Sequence, residues 1–164
     1  MQPGRSSRIS FVLVIALMGL PLAHAGSLEG TWRLVDQRYE RGGYNFVKDD
    51  EPFVLELTAT GERLGGRLSW HEGQQAEWPA YPTPNGPATL HDMHVQRSLD
   101  GESATATYRV EPSVDDDTWL VVKEEYRLAE GDRMESTMEI RFERNGKVSG
   151  GFTWKRTFER EAGP

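Results

Sequence analysis

The chain of 164 residues contains no cysteine. That absence excludes disulfide cross-links, thiolate catalysis and a lipid-modified N-terminal cysteine together. Positive charge is also in short supply. Against 26 Asp and Glu stand 19 Lys and Arg, a net charge of −7 with no basic stripe. Nucleic-acid phosphates need clustered Lys and Arg, so nucleic acid is not an expected partner. An anionic lipid surface is disfavoured by the same charge. Catalytic signatures are missing as well: there is no Gly-x-Ser-x-Gly elbow, no phosphate loop and no His-Glu-x-x-His. Glu124 and Glu125 fall on opposite faces of one strand and cannot act as a catalytic pair. The expectation is a protein that is not an enzyme and carries no cofactor.

Metal ligands fare no better. His91 and His94, three apart on a strand, point to opposite faces unless the strand is kinked, and His71 lies far away in sequence. Asp115–Asp117 lacks the spacing and the glycine of a calcium loop. No metal is expected.

Only one long apolar run exists, Ile9 to Leu22, broken by Gly19 and Pro21. Arg5 and Arg8 precede it and Ala23-His24-Ala25 follows, the pattern of a cleaved secretory signal rather than a membrane span. The expected domains are a signal peptide over 1–25 and one folded unit over 26–164. Cleavage removes two arginines and no acid, so the mature protein is more acidic still, and without a second apolar run it has no membrane span. Disulfide-poor export points to a periplasmic, or otherwise secreted, bacterial protein.

Within the mature chain, hydrophobic residues recur at every second position, the period of a strand. Phe53, Leu55, Leu57 and Ala59 share one face; Leu64, Gly66, Leu68 and Trp70 share another, with Arg63, Arg67 and His71 opposite. Four prolines between 73 and 88 interrupt the pattern, and that segment reads as a long loop carrying Trp78 and Tyr81. It is either a lid over a barrel mouth or a loop packed on the nearest apolar surface. Further strands follow over Thr89–Leu99, Ser103–Val110, Thr118–Leu128, Arg133–Glu143 and Lys147–Arg160. Asn145-Gly146 between the last two is the strongest hairpin signal. With Gly30–Tyr39 this makes eight strands, or nine if Tyr44–Val47 forms one. The fold class is all-β: a single antiparallel up-and-down β-barrel, which closes on itself to remove its edges. A two-sheet sandwich would need long crossovers, of which there is at most one.

Gly30-x-Trp32 on the first strand, just after a signal peptide, resembles the signature of the lipocalin and calycin group. Arg156-Thr157-Phe158-Glu159-Arg160 on the last strand resembles the end of intracellular fatty-acid-binding proteins. The resemblance implies that Gly30, Trp32 and Arg156 close the barrel, with an arginine packed across the tryptophan. It also implies a small apolar ligand inside. Phe158 stands where the fatty-acid-binding family has a tyrosine, so half of that family's carboxylate clamp is missing. The segment after Tyr39 is too short and Gly-rich for that family's helical lid.

The candidate ligand-binding residues are Trp70, Trp78, His91, Met93, Tyr108, Glu124, Tyr126, Met138, Phe152 and Trp154. Parity turns most of them inward, where Ala104, Ala106, Gly66 and Gly150 leave room and Met side chains adapt to varied shapes. Glu124, His91 and the two tyrosine hydroxyls would be orienting polar groups in an apolar pocket. A single bulge would instead turn His91 or Glu124 to solvent. Asp36 and Arg38 share the parity of Trp32, and a bend in the strand is expected to turn them out. The function expected is lipid-like small-molecule binding inside the barrel. The alternative is a filled barrel that binds protein, such as an envelope enzyme it inhibits, through its outer surface and the 73–88 loop.

Overall fold

The computed structural model describes residues 26–39, 53–112 and 117–162. The expected signal peptide, the expected strand at Tyr44–Val47 and most of the Asp115–Asp117 corner lie outside the described residues. Within them the protein is all-β, and no helix is long and apolar enough to cross a membrane.

Nine strands form one antiparallel sheet: β1 (Gly30–Tyr39), β2 (Val54–Thr60), β3 (Arg63–Trp70), β4 (Gln74–Trp78), β7 (Leu90–Arg97), β8 (Ser103–Val110), β9 (Trp119–Ala129), β10 (Arg133–Arg144) and β11 (Lys147–Arg160). A two-residue hairpin, β5 (Pro82–Thr83) with β6 (Gly86–Pro87), stands apart. The sheet order is β4-β3-β2-β1-β11-β10-β9-β8-β7. It is a meander in which the first and last strands are neighbours, with Trp32 opposite Arg160 and Leu34 opposite Phe158.

The expected closure is not complete. No ladder joins β4 to β7, so the sheet is an open half-barrel with two edges. The ninth strand is β4, within the stretch expected to be a loop. All four prolines there lie at or beyond position 79, so residues 74–78 keep their N–H groups and pair with β3 from Trp70–Gln74 to Gly66–Trp78. The prolines end the ladder rather than prevent it.

Two residues of the β10–β11 turn, Asn145 (φ 51°) and Gly146 (φ 71°), adopt the left-handed conformations that a tight hairpin needs. Three bulges break the simple alternation. In β1 the register against β11 shifts between Leu34 and Asp36, so Asp36 and Arg38 leave the inner face, as expected, and Gln37 takes it. In β7 it shifts between His91 and His94, and in β11 it shifts opposite Phe142 and Glu143.

The expected use of glycine as vacant space does not hold at Gly66. A Cβ there would lie 1.9 Å from the Glu56 carbonyl oxygen. Gly66 therefore permits close approach of β2 and β3 rather than leaving room for a guest.

The core has two parts. At the base, Leu28, Trp32, Met134 and Phe158 are fully buried. The Trp32 indole N–H donates to the Leu28 carbonyl at 2.8 Å. The Leu28 N–H donates in turn to Gly101, tying the entry segment to the β7–β8 turn. Toward the mouth, Tyr108, Val122, Met138 and Ile140 form a second cluster, with Phe142, Phe152 and Trp154 packed against it.

Candidate functional site

The arginine that covers Trp32 is Arg160, not Arg156. Its guanidinium carbon stands 4.2 Å from the indole centroid. Its N–H groups donate to the Glu29 carbonyl at 2.5 Å and the Ser27 carbonyl at 2.8 Å. Both arginines occupy the same face of β11, four residues apart, and the β1–β11 register sets Arg160 opposite Trp32 and Arg156 opposite Gln37.

Arg156 lies further in and is buried. Its Nη2 donates to Glu124 Oε1 at 2.9 Å. Glu124 on β9 faces inward, and its other oxygen accepts from the Tyr126 hydroxyl at 2.5 Å. That hydroxyl accepts in turn from the Trp78 indole N–H at 3.1 Å. Three strands thus meet in one chain of hydrogen bonds: Trp78 from β4, Tyr126 and Glu124 from β9 and Arg156 from β11. Ser136 of β10 is buried between Tyr126 and Arg156 in register, its hydroxyl without a partner. Tyr108 of β8 is buried nearby, and its hydroxyl makes no well-formed hydrogen bond.

The electrostatics follow from this burial. Desolvation, and after it the Glu124 charge, hold the Tyr126 and Tyr108 hydroxyls well above the ordinary tyrosine range. Tyr81 shifts the same way for the same two reasons. Burial opposes the Arg156 charge, but Glu124 and the two tyrosines more than restore it, so Arg156 stays a cation.

Above this network opens a cavity of about 640 Å³. Its walls come from Leu34 and Gln37 of β1, Phe53, Trp70 of β3, Met138 and Ile140 of β10, and Trp154 and Arg156 of β11. Tyr81 and the β5 turn complete it. Of the ion pair only Arg156 lines the cavity. The lining is mostly apolar and aromatic with few polar groups, the composition of a small-molecule site, and its volume falls in the range such sites occupy.

The structure sorts the expected site residues into four groups. Trp70, Met138 and Trp154 line the cavity. Trp78, Glu124 and Tyr126 are buried in the polar network and Tyr108 is buried beside it; none of the four lines the cavity. Phe152 packs at the edge of the cluster against Trp154, Phe142 and Tyr39, with centroids 5.9, 5.7 and 5.6 Å away.

His91 and Met93 are corrections. The β7 bulge reverses parity, so both side chains leave the interior. Met93 is 57% exposed, and His91 lies edge-on to Trp119 and 3.5 Å from Glu111. His71, placed outward by strand parity, begins a short turn after β3 and borders the cavity.

Gln37 was not foreseen as a lining residue; the bulge that turns it inward leaves no mark in the residue pattern. Tyr81 was flagged as a loop aromatic and stands at the cavity wall. The other loop aromatic, Trp78, is buried, so neither ring projects freely from the 73–88 segment.

Among the described residues no group of three or more His, Cys, Asp and Glu is placed to hold a metal ion. Compared with known proteins, the chain matches no family model and no curated protein sequence.

Proposed function

We propose that this chain is a secreted or periplasmic, lipocalin-like binding protein that holds one small apolar or amphipathic molecule in the mouth of its half-barrel. The observation that carries this reading is the cavity of about 640 Å³, floored by a buried ion pair and walled by Phe53, Trp70, Met138 and Trp154. A filled core would leave no such space, and aromatic walls are suited to an apolar guest. Export is supported by the apolar run and the Ala23-His24-Ala25 sequence. The alternative, a protein-binding module acting through the 73–88 loop, would draw support from aromatic rings projecting out of that loop. Trp78 and Tyr81 turn inward instead.

The test is titration of the mature protein with N-phenyl-1-naphthylamine, a neutral apolar fluorophore, read alongside native mass spectrometry of the complex. Saturable one-to-one binding is expected, with energy transfer from the cavity tryptophans. A Met138→Trp variant, which fills the space while preserving the strand, should abolish it. Absence of saturable binding, or binding indifferent to Met138→Trp, would overturn the reading.

A further inference from the structure

The bulge in β1 adds one polar side chain, Gln37, to a wall that is otherwise mostly apolar. The register sets Gln37 opposite Arg156, and residues directly opposite across an antiparallel ladder share a face, so its carboxamide is turned to the cavity it lines. Gln37 is half-buried. Among the described residues its amide has no hydrogen-bond partner, and neither its oxygen nor its nitrogen is sealed off. Tyr81 joins it from the segment between β4 and β7. Its hydroxyl is likewise accessible and without a partner among the described residues, and burial, then the Glu124 charge, keep it protonated. The other polar lining residues are engaged. Thr83 donates to the Gly86 carbonyl at 2.7 Å, His71 stands 3.4 Å from Glu72, and Arg156 is paired with Glu124.

A carboxamide presents an acceptor as well as donors. A guest that fills the cavity takes water away from both, and a polar group dried without a replacement is unfavourable. An ether oxygen can accept from the amide N–H or the Tyr81 O–H, but it leaves the amide oxygen bare. A hydroxyl accepts from one and donates to the other.

Resting on the binding reading above, we infer that the guest carries on its apolar body a head group that donates a hydrogen bond as well as accepting one, a hydroxyl being the smallest that does both. Gln37 is the residue that distinguishes such a head group, and Tyr81 supplies a further donor. The β1 bulge is then a specificity device, because without it the inner face would not hold an amide at this position.

The experiment compares three probes with one twelve-carbon chain: dodecan-1-ol, 1-methoxydodecane and dodecane. Each is used to displace N-phenyl-1-naphthylamine from the mature protein, and each affinity is repeated by calorimetry. The alcohol should bind about three- to tenfold more tightly than the ether, the factor that one net hydrogen bond supplies. Gln37→Met keeps the length of the side chain and removes the amide, and there the alcohol's advantage should vanish. A merely structural role for Gln37 would move all three probes alike, so the alcohol-to-ether ratio is the readout. In Tyr81→Phe, which removes only a hydroxyl, alcohol and ether should both lose ground to dodecane.

Equal binding of alcohol and ether by the unaltered protein, or an advantage that survives Gln37→Met, overturns the inference and leaves the binding reading standing. Should Gln37→Met fold poorly, the comparison in the unaltered protein still decides. An ether-to-dodecane ratio unmoved by Tyr81→Phe overturns the assignment of Tyr81. If N-phenyl-1-naphthylamine finds no saturable site, the binding reading itself fails, and this inference with it.

Discussion

The two inward arginines of β11 make the most instructive comparison in the molecule. Arg160, at the base, is held by backbone carbonyls and an indole face, and it fastens the entry segment across the bottom of the half-barrel. Arg156, four residues earlier on the same face, is held by a carboxylate from a distant strand and borders empty space. The first makes its close contacts with neutral dipoles, is partly solvated, and has only an exposed carboxylate, Asp132 at 3.5 Å, as its recorded counter-charge. The second is buried and depends on Glu124. One residue type therefore does structural work at one end and sets the chemistry of a cavity at the other. The difference comes from depth and partner, not from the residue.

The largest effect should come from attacking the base. Trp32 is fully buried, so Trp32→Ala should cost about 3–5 kcal/mol in urea denaturation, enough to unfold a marginal domain. If this variant kept the parent's midpoint, the assignment of the base as the structural anchor would fail.

Glu124→Leu sharpens the contrast. Alone it strands the Arg156 cation, at a cost of about 3–5 kcal/mol. Combined with Arg156→Met, most of that loss should be recovered, because an apolar pair replaces the buried charges. No recovery in the double variant would show that the network, not the unpaired charge, dominates.

A third effect separates the two ends by pH. The Tyr108 and Tyr126 hydroxyls titrate well above their ordinary value of 10.0, while in the unfolded chain they ionise near it. Below that point both states carry neutral tyrosine and no difference arises. As pH rises past it, the unfolded chain loses protons that the folded one keeps. Stability should then fall by about 1.4 kcal/mol per pH unit for each ring. Absorbance at the tyrosinate band should appear for these rings only with unfolding, and early titration of both would contradict their burial. The smallest effect is expected at Met93: being exposed, Met93→Ser should shift stability by less than about 0.5 kcal/mol and leave probe binding unaltered.

Much of the fold was legible because strand period and turn chemistry are local. The eight strands expected from alternation lie within a residue or two of their observed ends, and the pairing of the first strand with the last was foreseen. What escaped was register. A bulge adds one residue without altering the composition around it, so Met93 was placed inside and the facing of His91 was left open, when the β7 irregularity turns both out. The choice between Arg156 and Arg160 failed for a related reason. Both lie on the inward face of the same strand, and only the register against β1 decides which stands opposite Trp32. Prolines hid β4 because their number suggested a loop, although their positions spared residues 74–78. Within the site, Trp70, Met138 and Trp154 were accessible from parity. The inward turn of Glu124 was left open, and its partnership with Arg156 joins residues 32 apart, a distance over which no local pattern speaks.

The missing ladder between β4 and β7 gives the molecule the mechanics of a split ring. A closed cylinder can widen only by breaking rungs of its own backbone, whereas here no ladder rung spans the gap between β4 and β7. Girth at the opening is thereby uncoupled from the ladder rungs of the sheet, a property that suits the proposed binding role.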